Sequence, residues 1–185
     1  MFIALGIVVL IAVVIAMIYN RLIQLKMFLQ EAFSGIDVQL KRRYDLIPNI
    51  VETVKGYAQH EQKTLEDIAK LRTQLVSAPS DTQRESMENQ LSRGLKTIFA
   101  LAENYPDLKA NQGFLSLQNS LSEIEDQLQM ARRYYNGTVR NYNVMVQSFP
   151  ANTIASLFNF QPAKFFEIEY ATERQVPDAK FIKGT

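Results

Sequence analysis

The feature that most constrains this chain is an uncharged apolar run from Phe2 to Tyr19, in which Gly6 is the one residue that is not hydrophobic. A helix rises ~1.5 Å per residue, so the run makes a helix of about 27 Å, just enough for the hydrocarbon core of a bilayer. Tyr19 falls where aromatic side chains favour the membrane interface. The run predicts a transmembrane anchor over residues 1–19, with residues 2–19 in contact with lipid.

Two other interpretations of the run are weaker. A secretory signal peptide has a basic leading region and a small-x-small cleavage site. No Lys or Arg comes before the run, and Ala16-Met17-Ile18 ends in the wrong residue for cleavage. A buried core helix is disfavoured because the apolar run is uninterrupted and terminal. We therefore expect an uncleaved anchor.

The charges that come after the run predict its orientation. Arg21 and Lys26 lie within the window that the positive-inside rule counts, and no basic residue precedes the run. The rule places the C-terminal domain in the cytoplasm and Met1 outside.

The overall composition hides two unlike parts and excludes several functions. All 20 basic and 19 acidic residues lie after the apolar run, and their near balance (net +1) excludes the basic footprint of a nucleic-acid binder. The chain has no Cys, which excludes disulfides, thiol catalysis, Cys-ligated zinc and a lipoprotein anchor. The part of the chain after the anchor has the composition of a soluble domain.

The clearest periodic pattern runs from Gly113 to Pro150 and has the 3,4 spacing of a coiled coil. It predicts one helix of roughly 35 residues and about 50 Å. The seam positions, of which Thr138 alone is not hydrophobic, are Phe114, Leu117, Leu121, Ile124, Leu128, Ala131, Tyr135, Thr138, Tyr142, Met145 and Phe149.

Three earlier segments pair with this helix. Asn20–Arg43 continues the anchor as a helix, and Tyr44–Ile47 is predicted to be a turn because Pro48 suits a helix start. A second helix then runs to Leu75, and a loop comes next in which Ser80 or Asp81 caps the third helix. The third helix ends at Tyr105-Pro106-Asp107, and its Gly94 indicates a close helix crossing. Short connections between long helices predict an all-α protein, in which an elongated antiparallel four-helix bundle occupies residues 20–150.

The last segment, residues 151–185, is an aromatic tail. It holds Phe158, Phe160, Phe165, Phe166, Tyr170 and Phe181. Asn152–Phe158 is predicted to be a short helix and Phe165–Tyr170 to be extended. The rings either dock the tail on the bundle, which we favour, or contact a partner or the membrane.

Residues that could carry chemistry are few. No Gly-rich phosphate-binding motif is present, and His60 is the one histidine, so a multi-His metal site cannot form within one chain. Acidic residues such as Glu123, Glu125 and Asp126 have the pattern of solvated helix charges. A hydrolase built on Asp37, Asp45 and Asp107 is the remaining enzyme hypothesis, and a weak one. We predict no catalytic residue, no metal site and no cofactor.

Two clusters are candidate contact sites. Lys41, Arg42 and Arg43 either stabilise the helix through Asp37 and the helix dipole or form a basic patch that recognises a partner protein. Such a patch would lie roughly 35 Å from the membrane. With Phe165 and Phe166 they are the predicted partner-binding residues.

The second cluster is the repeat Tyr135-Asn136 and Tyr142-Asn143, one heptad apart. Polar groups beside a heptad seam can fix its register, which we favour over a ligand site.

Several motifs in order along the chain resemble the LemA family of bacterial membrane proteins. The segments are Ile36–Ala58, Tyr105–Asn111, Tyr135-Asn136, Tyr142-Asn143, Phe149–Asn152 and Phe165–Glu167 with Pro177. Tyr44 stands where the family often has His, which argues against a metal or acid–base role there. The resemblance implies one N-terminal membrane helix in the bacterial inner (plasma) membrane and a long cytosolic helical bundle. It implies no enzyme activity, and it links relatives to membrane processes that include magnetosome formation.

Two function classes remain. The first is a membrane-anchored scaffold or interaction protein without catalytic activity, which forms a homo-oligomer or binds a membrane-protein partner. The alternative is an oligomeric protein that shapes or maintains the membrane.

Overall fold

The computed structural model describes residues 1–77 and 81–166, apart from the side chains of Gln59, Asp81, Thr82, Gln83 and Glu85. The described residues form helices and no strand, so the all-α class is confirmed. A short 3-10 helix, Gln59–Glu61, precedes the second α-helix. The α-helices are α1 Phe2–Lys55, α2 Gln62–Val76, α3 Asp81–Ala102, α4 Pro106–Lys109, α5 Gln112–Gln147 and α6 Ala151–Leu157.

Helix α1 is one unbroken helix of 54 residues, so the turn predicted at Tyr44–Ile47 is wrong. Pro48 lies inside it and has no N–H to donate to the carbonyl of Tyr44 four residues earlier. Arg72 of α2 contacts that carbonyl, with 3.4 Å from its Nε to the Tyr44 oxygen. A side chain from another helix thus replaces the lost bond, and α1 continues to Lys55. The chain turns at Gly56–Ala58 instead.

The first part of α1 differs from the rest in burial. It contains an apolar 18-residue window, none of which is buried within the protein, and the helix is long and apolar enough to cross a membrane. Leu22 is the first fully buried residue after it. The bundle is therefore built directly on the helix that carries the apolar segment.

Helices α1 and α5 form the central antiparallel pair of the bundle. The predicted long helix is confirmed as α5, which has 36 residues and packs along α1. Its start is fixed by Asn111, whose side chain accepts a hydrogen bond from the Phe114 N–H (3.0 Å) and donates one to the Tyr57 hydroxyl (3.0 Å). We call this the far end of the bundle; α5 returns from it toward the apolar segment.

Helices α2 and α3 form a hairpin that covers only the far half of the α1–α5 pair. Their buried side chains include Ile68 of α2 and Leu91, Leu95 and Ile98 of α3. The predicted close crossing at Gly94 is confirmed, because a Cβ added there would lie 2.9 Å from Ile68 Cγ1.

The half nearer the apolar segment has a second core, built by α1, α5 and the start of the tail. Its buried residues are Leu22, Tyr142, Val146, Ile154, Ala155 and Phe160. The short tail helix expected at Asn152–Phe158 is confirmed as α6. On α5 the buried seam moves to Val139 and Val146, and Phe149, expected on the seam, is 86% exposed because α5 ends at Gln147.

Candidate functional site: a groove beside a buried ion network

A buried ion network joins three helices at the centre of the bundle. The Arg43 guanidinium of α1 donates to Glu88 of α3 (Nη1 to Oε2, 3.0 Å) and to the Ser92 hydroxyl (Nη2 to Oγ, 2.8 Å). Its Nη2 also lies 3.0 Å from Oε1 of Glu125 on α5. The side chains of Arg43 and Glu88 are 1% and 4% exposed. The network therefore fixes α1, α3 and α5 relative to one another.

Tyr44 adds a neutral donor to the same carboxylate. Its hydroxyl donates to Oε1 of Glu88. Burial and then the neighbouring Glu88 charge raise the pKa of Tyr44 well above its ordinary value. A phenol with a raised pKa stays protonated at neutral pH and serves as a hydrogen-bond donor. Arg84 lies nearby and pairs with Asp37 at 2.9 Å.

An open groove of about 690 Å³ lies beside this network between α3 and α5. Arg43 contributes a buried charge to its lining, and Phe166 of the tail lines it near Arg132 and Arg133. The helix residues of its walls are mostly polar or charged. They are Glu88, Asn89, Ser92, Leu95, Lys96 and Phe99 on α3, and Gln118, Leu121, Ser122, Glu125, Asp126, Gln129, Arg132 and Arg133 on α5.

Two asparagines of α5 bind the main chain of the tail, and we call them the asparagine clamp. The Asn143 amide donates to the Ala163 carbonyl (2.9 Å) and accepts from the Ala163 N–H (2.8 Å). Asn136 makes the same pair of bonds with Phe166 (3.0 and 2.8 Å). All four of these hydrogen bonds are to main-chain atoms of the tail, so they do not depend on the identity of its side chains.

The clamp works because two repeats coincide. Seven helical residues separate Asn136 from Asn143, a rise of about 10.5 Å. Ala163 and Phe166 lie three positions apart in a segment without helix or strand, and three residues of extended chain, at ~3.3 Å each, span about 10 Å. The Tyr-Asn heptad repeat thus marks a helix face that holds an extended segment. The Tyr-Asn repeat is the sequence signal for this site. Its partners in the tail, Ala163 and Phe166, lie three positions apart and are not indicated by a sequence pattern.

Of the predicted partner-binding residues, Arg43 and Phe166 both line the groove, whereas Lys41, Arg42 and Phe165 do not. Lys41 and Arg42 are exposed, and Arg42 donates to Gln39 within α1 (3.3 Å), whereas Arg43 is buried in the ion network. Phe165 is 51% exposed. The half-buried Phe166 ring lies under Arg132, whose guanidinium carbon is 4.7 Å from the ring centroid.

The residues of the hydrolase hypothesis do not come together. Within residues 1–77 and 81–166, no three His or acidic side chains are close enough to hold a metal ion. His60 is exposed in the 3-10 helix. Asp45 and Asp107 are exposed, the latter on α4 at the far end, while Asp37 is paired with Arg84. Ser80, part of the predicted cap, and tail residues 167–185, with Tyr170, Pro177 and Phe181, lie outside the described residues, as does the side chain of Asp81.

Fold and site together define a class: an all-helical protein whose core helix also carries a segment able to cross a membrane. The model of the LemA family matches residues 32–181. The chain belongs to the LemA family, which confirms the resemblance seen in its motifs.

Individual relatives agree with this assignment. The chain is 26% identical over 149 residues to Protein LemA of Metamycoplasma hominis, a match that covers 80% of this chain and 68% of that protein. It is 23% identical over 175 residues to Magnetosome protein MamQ 2 of Paramagnetospirillum magneticum, covering 80% of this chain and 64% of the relative. Magnetosome protein MamQ of Magnetospirillum gryphiswaldense is 21% identical over 190 residues, covering 89% and 68%.

Proposed function

We propose that this protein is a membrane-anchored helical scaffold that binds a protein partner and has no catalytic activity of its own. One observation carries the proposal: α1 runs without a break from the apolar segment into the ion network. Arg43 lies 24 residues beyond Tyr19, so a straight helix holds the network and its groove about 36 Å from the end of the apolar segment. A rigid helix of this kind suits a protein that presents a contact surface at a set distance from a membrane.

The groove is the proposed contact surface, and an extended segment of another protein is its proposed ligand. Gln129 and Ser122 occupy the positions one and two heptads before Asn136, and both line the groove. Their amide and hydroxyl groups can bond a peptide backbone as the asparagine clamp does. This stripe supports a partner recognised largely through its main chain.

Site-specific photo-crosslinking tests the proposal. A benzophenone amino acid replaces Gln129 in the full-length protein, which is irradiated in native membranes, purified in mild detergent and analysed by mass spectrometry. The matched control carries the same group at the adjacent Met130, which is 51% exposed and does not line the groove. We expect crosslinks to a second chain, either another copy or a membrane protein, from position 129 and not from position 130.

The opposite result is equally clear. Crosslinks from position 129 that reach only this chain's own residues beyond Phe166, together with a monomeric mass in detergent, would overturn the scaffold proposal.

The orientation we propose places the bundle in the bacterial cytoplasm and Met1 outside the inner membrane. Arg21 and Lys26 after the apolar segment support it. Because the chain has no Cys, a single Lys109→Cys variant reports its side. A membrane-impermeant maleimide should label this variant in broken cells and not in intact spheroplasts; labelling of intact spheroplasts would reverse the orientation.

A second candidate function is shaping or maintaining the membrane through assembly. The relatives named magnetosome proteins favour it. Electron microscopy of liposomes that contain the full-length protein tests it, and vesicles that keep their shape at high protein density would exclude it.

A further inference from the structure

The end of the bundle nearest the apolar segment is closed by aromatic rings. Tyr19, the last residue of that segment, packs against Phe158 with ring centroids 4.8 Å apart and against Phe160 with centroids 5.8 Å apart. Phe160 is buried in the second core. The short helix α6 and the residues that flank it therefore lie level with the end of the apolar segment.

Large apolar side chains remain exposed at this end. Phe149, just before α6, is 86% exposed, and Leu157, the last residue of α6, is 76% exposed. Phe158 is 48% exposed even though one side of its ring contacts Tyr19. The opposite face of α6 is already used, because Ile154 and Ala155 pack against α1 and α5. Nothing within the described chain covers the exposed face.

The part of the chain that joins α1 at this end, from late α5 through α6, carries no charge, although Arg21 and Lys26 of α1 lie nearby. No Asp, Glu, Lys or Arg occurs from Asn141 to Ala163, a stretch of 23 residues that includes the end of α5 and all of α6. Arg140 and Lys164 border it. Transfer of a charged side chain into a bilayer is costly, whereas aromatic side chains favour the interface. A surface that meets lipid has this composition.

We propose that Phe149, Leu157 and Phe158 insert into the lipid interface beside α1, which gives the protein a second contact with the membrane. The bilayer is the occupant we assign to this face because the face continues the apolar segment through the Tyr19–Phe158 contact. A single helix leaves a domain free to swivel about its axis. The second contact fixes the tilt and rotation of the bundle, and therefore the direction in which the groove faces.

Tryptophan fluorescence tests this inference because the chain has no native Trp. Phe149→Trp and Phe158→Trp variants of the full-length protein are reconstituted into vesicles of phosphatidylcholine and phosphatidylglycerol. Some vesicles carry lipids brominated near the headgroup end of the acyl chains, which quench a Trp at the interface, and others carry lipids brominated near the chain ends, which quench a Trp at the bilayer centre such as one at position 8. Tyr134→Trp is the matched aqueous control, since Tyr134 is 58% exposed on α5 and about 20 Å farther from the membrane. Val8→Trp reports insertion of the apolar segment itself.

We expect emission from positions 149 and 158 to shift to the blue and to lose intensity with brominated lipid, while position 134 responds only to aqueous acrylamide. Each Trp variant must unfold at the same thermal midpoint as the wild type. Phe149→Trp can meet this condition because Phe149 is highly exposed. If position 8 is quenched by bromine but 149 and 158 behave like 134, the interfacial contact is overturned and the anchor stands.

Two further outcomes would also overturn the inference. A blue shift at 149 and 158 without bromine quenching would assign the face to another protein chain. Absence of quenching at position 8 would contradict the anchor, and with it the proposed scaffold function.

Discussion

Arg43 and Glu88 form an ion pair of 3.0 Å inside the bundle although they lie on different helices, 45 residues apart. Their side chains are 1% and 4% exposed, and Ser92 and Tyr44 supply further hydrogen bonds to the pair. Buried ion pairs contribute little net stability, but removal of one partner leaves the other charge buried and unpaired. The pair therefore contributes more to the specificity of packing, by selecting the face of α3 that meets α1, than to the stability of the bundle.

The Arg43→Met variant should be destabilised by about 3–5 kcal/mol, since Glu88 would remain buried without its counter-charge. Replacing both partners, Arg43→Met with Glu88→Leu, should recover a large part of that loss. Circular dichroism in detergent, recorded during thermal or urea unfolding, measures both. Arg42→Met is the control because Arg42 is exposed, and its effect should stay within ~0.5 kcal/mol. Equal stability of Arg43→Met and Arg42→Met would contradict the role of the network.

Tyr44 should make stability depend on alkaline pH. The pKa of Tyr44 is raised in the folded protein by burial and by Glu88, whereas an unfolded tyrosine ionises near pH 10. The stabilisation is thus fully present below about pH 10 and is lost as the pH rises from there toward the folded pKa.

The Tyr44→Phe variant should therefore lose about 1–3 kcal/mol at pH 7, because Glu88 loses a donor. The gap between wild type and variant should narrow above about pH 10. Tyr134→Phe, at an exposed position, is the control. Unfolding midpoints of the wild type, the variant and the control, measured across this pH range, test the prediction. A stability difference between wild type and Tyr44→Phe that stays constant or widens above about pH 10 would refute the role of the Tyr44 hydroxyl.

Local patterns predicted the parts of this fold that depend on neighbouring residues. The heptads of α5, the close approach at Gly94 and the short helix α6 follow from spacing and residue size within one segment. The predicted turn at Tyr44–Ile47 failed because the hydrogen bond lost at Pro48 is replaced by Arg72, a residue of another helix.

The candidate site could not be predicted from a local sequence pattern, because its residues lie far apart in the sequence. From the sequence alone, Arg43 resembles a surface charge. Folding brings Glu88 and Glu125, 45 and 82 residues later, into contact with it. The asparagine clamp was visible as a repeat, but only the folded chain shows that the tail supplies its partner.

The asparagine clamp should protect the tail from proteolysis. Asn143→Leu removes two hydrogen bonds to Ala163, each worth ~1 kcal/mol, so the segment should detach more often. Trypsin cleavage after the exposed Lys164, timed by mass spectrometry, should become up to about thirtyfold faster. Asn141→Leu, an exposed position of α5 two residues away, should leave the rate unchanged. Identical rates in both variants would show that the bonds of Asn143 to Ala163 do not hold the tail.

Two glycines within helices should respond oppositely to alanine. In α5, a Cβ added at Gly137 meets nothing within 4 Å, so Gly137→Ala should gain up to about 1 kcal/mol from helix propensity. In α3, the Cβ of Gly94→Ala would lie 2.9 Å from Ile68 Cγ1, and the overpacking costs about 1–3 kcal/mol, which exceeds the propensity gain. Thermal unfolding should therefore give a higher midpoint for Gly137→Ala and a lower one for Gly94→Ala.

A double variant, Gly94→Ala with Ile68→Ala, should be less destabilised than the sum of its single changes, because the clash is absent once Cγ1 is removed. Stabilisation by Gly94→Ala would mean that α2 and α3 do not pack as closely as this crossing requires.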